Sequence, residues 1–417
     1  MNFIKTSFLS GISTAISLLA RLISTKIVAV YLGTNGMFLM GQLKDFLRLG
    51  NTIGSFGIEN GIVKYVSEYE NDKLKLSNII GTSFKINLFS ALIFSSLILI
   101  FKNNIGNFLQ INFSENFYFL ILALSITSAS IHTCFLSIYN GLNKIKLYVW
   151  INIFSNITSA IILVFLVLKM EVIGAFYALA INQIFSLLIN ILFFVIYKPF
   201  EINWLFKKFI KENLKKLSSF SVMAVIGPTC LIVSTFIVRD YIFDEFGSDY
   251  AGSWEAMWRI SAIYLLFLIT TFKFYLIPTF SKLNDNELKF EVFKIWKVVI
   301  PIIIIITFGV YLTKDLIINI LLSKEFILIN SIIFFHLLGD IIKINCWVLG
   351  NIMIAKADTK SFIFFQIEWS TIFVILTYIF IGKYGFVGVS IAYFLTYIVH
   401  FSLLNIYFRK LLWVKDS

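Results

Sequence analysis

Charged side chains recur inside apolar stretches of this sequence, at helical spacing. Lys44, Asp45, Arg48, Thr52, Ser55 and Glu59 follow steps of three and four and form one polar stripe. Thr14, Ser17, Arg21 and Thr25, with Lys26 beside them, form a second. Glu255, Arg259 and Lys273 form a third, and the last two lie about four turns apart on one face. A charge amid apolar residues is costly, so it faces a cavity or a partner. Basic groups outnumber acidic ones on these faces, which suits the capture of an anion. A guanidinium grips a phosphate through paired N–H bonds, whereas an ammonium acts as a point charge. Arg48, Arg259 and Lys273, followed by Lys44, Arg21 and Lys26, are therefore candidate contacts for a phosphate or diphosphate. The competing reading is internal neutralisation, with Lys44, Asp45 and Arg48 pairing locally and Glu59 pairing with Lys273.

His336, Asp340 and Lys343 stand at i, i+4 and i+7. Protonatable groups in a span are candidates for ion coupling, and Asp340 and His336 lead that set, with Glu59 and Asp45 behind them. The alternative is an interhelical hydrogen bond that fixes packing. Glu368 poses the same choice, and Arg239-Asp240 reads as an interfacial pair. Covalent chemistry has no foothold: there is no phosphate-binding P-loop, no GxSxG and no HExxH. Cys134, Cys230 and Cys346 are scattered, and His132, His336 and His400 are too dispersed for a metal site. The expectation is a non-enzyme with no catalytic residue, no metal and no cofactor.

The elements that position these residues follow from composition. Of 417 residues, 59% are apolar and 14% charged. Mean hydropathy is +0.88. A soluble domain carries about 25% charged residues, so this chain cannot clothe a globular surface. Apolar runs of helical length fall at roughly 8–32, 37–66, 80–101, 117–140, 148–168, 172–196, 218–243, 253–280, 295–313, 327–354, 361–381 and 386–408. They do not alternate as the strands of a membrane barrel would. The reading is an all-α integral membrane protein with about twelve transmembrane helices. Trp150, Trp254, Trp369 and Trp413 read as interfacial belt residues, and Pro228, Pro278 and Pro301 fall in or at the start of spans. The first apolar segment is too long and too polar for a cleaved signal peptide.

The net charge is +12. Lysines gather in alternate loops, above all in Lys198–Lys216, and the opposite loop Asp244–Asp249 is acidic. Basic loops stay cytoplasmic, so both termini are expected inside. The long basic loop divides the chain into a six-helix lobe at 1–196, a cytoplasmic linker at 197–217 and a second six-helix lobe at 218–417. The halves are related. Tyr31-Leu-Gly33 aligns with Glu245-Phe-Gly247, Lys146-Leu-Tyr148 with Lys360-Ser-Phe362, and Gly174-Ala-Phe-Tyr-Ala178 with Gly388-Val-Ser-Ile-Ala392, each 214 residues on. An even helix number per half makes them parallel repeats around a central cavity. The outer loops are short, which leaves no room for an extramembrane domain.

Several segments, in collinear order, resemble the Wzx family. These are the lipid-linked oligosaccharide flippases of the multidrug/oligosaccharidyl-lipid/polysaccharide exporter (MOP) superfamily. The segments are Lys26 with Gly33 and Gly36; Gly57-Ile-Glu-Asn-Gly61 through Lys64-Tyr65-Val66-Ser67-Glu68-Tyr69; Leu276-Ile-Pro278-Thr279-Phe-Ser281-Lys-Leu283; Leu322-Ser323-Lys-Glu-Phe326; Gly339-Asp340-Ile-Ile-Lys343; and Ile354-Ala355-Lys356-Ala357. The likeness is greatest to the members that handle lipid III of enterobacterial common antigen and to their O-antigen relatives. It implies two six-helix lobes in the bacterial inner membrane. It further implies an undecaprenyl-diphosphate-linked repeat unit as cargo, moved from the cytoplasmic to the periplasmic leaflet by alternating access. A polysaccharide polymerase and a chain-length regulator are the implied protein partners; nucleic acid is not one. Two rivals differ in kind. A drug or cation exporter of the same superfamily is disfavoured by a cationic interior. An O-antigen polymerase or ligase is disfavoured by the short outer loops.

Overall fold

The computed structural model describes residues 3–111, 116–218 and 221–414, and no strand occurs among them. The chain runs through α1 (Phe3–Tyr31), α2 (Gly33–Gly54), α3 (Glu59–Glu68), α4 (Lys73–Ile100), α5 (Lys102–Phe108), α6 (Asn116–Gly141) and α7 (Ile145–Tyr197). A 3-10 turn, Ile202–Phe206, leads to α8 (Lys211–Ser218), α9 (Ser221–Phe246), α10 (Ser248–Phe280), α11 (Asp285–Leu312) and α12 (Lys314–Leu321). A second 3-10 turn, Lys324–Leu328, precedes α13 (Ile329–Ala355), α14 (Thr359–Tyr384), α15 (Val387–Tyr407) and α16 (Arg409–Leu412).

Polar caps start the helices where the apolar runs begin. The Asp72 carboxylate accepts from Lys75 N–H and starts α4. Asn284 and Glu287 exchange bonds of 3.0 Å at the head of α11, and Asp358 accepts from Ser361 N–H at the head of α14. Nine helices among the described residues are long and apolar enough to cross a membrane. One of them, α7, has 53 residues. At 1.5 Å per residue it is ~80 Å long, far beyond one bilayer. It folds into two spans at Glu171, where φ is 49° and ψ −127°. With α2 and α10, which carry charged stripes, the spans number about twelve, as the apolar runs indicate. The lipid-facing sides show in bare apolar residues such as Phe89 and Ile305.

The chain forms two compact units, Met1–Leu32 with Leu39–Thr229, and Gly33–Phe38 with Cys230–Ser417. In the first, α6 packs against α4 and α7, and α1 packs along α7. Its core includes Ile62, Ile80, Phe135 and Tyr139, and also Phe200, Leu205 and Leu217 from the basic stretch before α9. That stretch is therefore part of the packing, held to α4 by Lys85 Nζ on Lys207 O and by Ile210 N–H on Thr82. In the second unit α13 is central, against α10, α11, α14 and α15.

The backbone repeats at the same 214-residue offset as the sequence. Gly33 and Gly247 both have positive φ, 62° and 90°, as do Asn143 and Ala357, 56° and 55°. Glu171 and Gly385 match likewise, 49° and 61°. A Cβ on Gly174 would stand 2.0 Å from Leu166 O, and one on Gly388 would stand 2.1 Å from Phe380 O. Each glycine lets two helix ends meet where no side chain fits.

Two expectations are corrected. The helix expected over 37–66 is broken: Phe56 and Gly57 take φ of 53° and 62°, so α2 ends at Gly54 and Glu59 opens α3. At the break Ser90 and Ser130 donate to the carbonyls of Ile53 and Gly54, and Ile53 O also accepts from Phe56 N–H. The polar stripe from Lys44 therefore does not run unbroken to Glu59. Trp254 and Trp369 are buried and not interfacial, because each packs among the aromatic rings of the second unit. Trp150 and Trp413 are exposed, as belt residues are.

Candidate functional site

In the second unit, α10 places Glu255 and Arg259 one turn apart, and α9 brings Arg239 against them. Arg239 Nη2 lies 2.8 Å from Glu255 Oε2, and Arg259 Nε lies 3.0 Å from Glu255 Oε1. The carboxylate sits between two guanidiniums, a triad with one net positive charge. Glu255 is fully engaged, and the Arg239 side chain is 3% exposed and lies over Trp254. Arg259 spends only its Nε on the pair. Its Nη1 and Nη2 are buried and find no hydrogen-bond partner among the described residues. Buried donors left unmet are destabilising unless something accepts from them. The arrangement can bind an anion through the free edge of one guanidinium, oriented by Glu255 behind it.

Beside it lies a polar network on α10, α13 and α15. Asp340 is fully buried; Tyr264 donates to its Oδ2, and Tyr393 donates to its Oδ1 at 2.8 Å. Lys343 Nζ stands 3.6 Å from Asp340 Oδ1 and donates to Tyr393 Oη at 3.0 Å. His336 stacks on Tyr393, centroids 4.4 Å apart, with neither ring nitrogen hydrogen-bonded among the described residues. Its Nε2 is 3.9 Å from Asp340 Oδ2, too far for a direct hydrogen bond. His400 Nδ1 and Glu368 Oε2 form a separate pair at 2.6 Å.

In the first unit, Arg21 on α1 and Arg48 on α2 are exposed. Neither has an ion-pair partner among the described residues, and the Arg48 charge bears on that of Arg21. Lys26, Lys44 and Asp45 each have an interaction partner. Glu59 accepts from Ser55 Oγ at 2.7 Å in the first turn of α3, where a carboxylate meets free N–H groups. The Lys273 side chain lies outside the described residues.

The tyrosines and tryptophans around Asp340 and Lys343 are the part of this network that the sequence reading missed. A trace of them was there: Tyr393, Tyr397 and His400 repeat the i, i+4, i+7 spacing of His336, Asp340 and Lys343.

A family model described as "Polysaccharide biosynthesis protein" matches residues 18–330. Two curated relatives, each named Lipid III flippase, come from Escherichia coli (strain K12) and Shigella flexneri. Each is 26% identical over 408 residues, which is 97% of this chain and 97% of the relative. Among solved structures, an inward-facing conformation of a multidrug resistance MATE family transporter of the MOP superfamily is similar. Its TM-score is 0.81, its identity 12%, and 95% of each chain is covered. At that identity the likeness is one of fold.

Proposed function

We propose that this chain, which belongs to the polysaccharide biosynthesis protein family, is a flippase for lipid-linked saccharides. Its cargo in this reading is an undecaprenyl-diphosphate-linked repeat unit of an O-antigen or a related surface polysaccharide. The unit passes from the cytoplasmic to the periplasmic leaflet of the bacterial inner membrane by alternating access. The observation that carries the reading is Arg259: a guanidinium in a membrane span, steered by Glu255, with both terminal amino groups unspent. A diphosphate is an acceptor of matching charge and shape. Arg21 and Arg48 supply cationic contacts in the first unit, with Lys273, Lys44 and Lys26 secondary. Full-length likeness to two lipid III flippases supports a lipid-linked saccharide over a drug. A cationic lining would also repel cationic drugs.

Asp340 and His336 are proposed as the ion-coupling pair, with Glu59 and Asp45 as lesser candidates. Loop charge supports a cytoplasmic position for both termini in this reading. A polysaccharide polymerase and a chain-length regulator are proposed as partners that take the unit onward. The second reading is lipid III itself, favoured by the names of the two relatives. One experiment separates the two. A strain lacking this gene, complemented with the chain or left empty, is scored for surface polysaccharide and for lipid-linked intermediates. Loss of O-antigen with lipid III metabolism unchanged supports the first reading. Accumulated lipid III supports the second. An unchanged envelope rejects both.

A further inference from the structure

The environment of Lys343 is built like a receptor for an organic cation. Its Nζ lies 4.9 Å from the centroid of Trp258, 5.3 Å from Trp347, 5.6 Å from Tyr393 and 5.9 Å from Tyr397. Electron-rich ring faces around one ammonium, closed by a carboxylate, are the recognition chemistry of amine ligands. The carboxylate is Asp340, at 3.6 Å. Both its oxygens are already taken, Oδ2 by Tyr264 and Oδ1 by Tyr393. Tyr264 is in turn within 3.3 Å of Ser261 Oγ, so the network is held from α10 as well as from α15.

The first unit shows what this position is without a cation. At the 214-residue offset, Asp340 corresponds to Ile126, Lys343 to Ala129, His336 to Leu122, Tyr393 to Leu179 and Tyr264 to Gly50. Ile126 lies directly over Gly50, where a Cβ would come within 2.5 Å of its Cδ1. The same pair of backbone positions thus meets in both units, through an apolar contact in one and through Tyr264–Asp340 in the other. At this position the first unit makes an apolar contact. The charged pair of the second is an addition to a frame that does not require it.

We propose that Asp340 and the rings of Trp258, Trp347, Tyr393 and Tyr397 form a monovalent-cation site that the chain fills itself, with the Lys343 ammonium. The tether makes the cation permanent. A sodium ion has no place at Asp340 while Lys343 is there. This goes beyond the flippase reading, and its test reads stability, which does not depend on the cargo.

The experiment uses purified full-length protein in detergent, with Lys343→Ala and Lys343→Ala/Asp340→Asn beside the wild type. Thermal denaturation is followed in ethylammonium chloride or sodium chloride at equal ionic strength. The expected result is a lowered Tm for Lys343→Ala that ethylammonium raises in a saturable manner and sodium does not. The wild type and the double variant should not respond. A Lys343→Ala Tm equal to wild type overturns the proposal, as does equal rescue by sodium or no rescue by the amine. If Lys343→Ala cannot be purified, its yield from cells grown with and without ethylammonium is the readout, and unchanged yield rejects the site. Lys343→Met fills the volume without the charge; wild-type stability for that variant also overturns it.

Discussion

Arg259 and Glu255 touch one another, yet the structure assigns them opposite consequences on removal. In Arg259→Ala, Glu255 loses the 3.0 Å bond to Nε but keeps Arg239 at 2.8 Å. One charged hydrogen bond is then lost, worth about 1.5–3 kcal/mol. Two buried donors that had no partner also disappear, so the net loss falls at the lower end of that range. In Glu255→Ala, two buried guanidiniums face each other with no anion between them. Breaking a buried pair from that side costs about 3–5 kcal/mol. The gap between the variants is about 2 kcal/mol, or roughly 30-fold in the folded-to-unfolded ratio. Function runs the other way. Arg259→Ala should abolish surface polysaccharide at near-normal protein amount, with lipid-linked units accumulating on the inner leaflet, and Arg259→Lys should restore it only in part. Denaturation of the purified variants and immunoblotting of membranes give the stability arm; polysaccharide staining gives the other. If Arg259 serves packing alone, protein amount and polysaccharide will fall in step. That outcome, or equal destabilisation by the two alanines, refutes the anion assignment.

Arg48→Ala and Arg21→Ala should lower surface polysaccharide with no loss of stability, since each removes like-charge repulsion; a loss of folded protein in both would remove them from the cargo path. Gly174→Ala and Gly388→Ala should each reduce folded protein by similar amounts, because a Cβ meets a carbonyl oxygen at 2.0 and 2.1 Å, and a marked difference in yield would count against the structural repeat. Reporters fused after Lys211 should report cytoplasm and those after Asp249 periplasm, and the reverse at both sites would invert the topology. His336→Gln should flatten the pH dependence of translocation in vesicles while leaving protein amount unchanged; an unaltered profile would return His336 to packing.

The spans were legible because lipid imposes one rule on every span: a polar cap such as Asp72, Asn284 or Asp358 and then about twenty apolar residues. The repeat was legible from short matches at one offset, since close helix ends tolerate only a few residues at Gly174 and Gly388. The break after Gly54 was not. Reading 37–66 as one apolar run passed over Gly54-Ser55-Phe56-Gly57 and Glu59-Asn60-Gly61, and the hydroxyls that meet the carbonyls of Ile53 and Gly54 there, Ser90 and Ser130, are distant in sequence. The charged residues were legible as residues, but their roles were not, because a stripe gives no partners. Lys343 shows why. As a lysine within a span it counts toward a cationic lining, but in the fold it is spent on Asp340 and four rings, and it offers nothing to a phosphate. Arg259 sits on the same unit, in a comparable apolar setting, and differs only in having one edge left over. The useful distinction among membrane charges is thus how many of a side chain's donors the protein itself consumes. By that measure Lys343 and Arg239 are engaged within the second unit, whereas Arg259 keeps one guanidinium edge without a partner among the described residues.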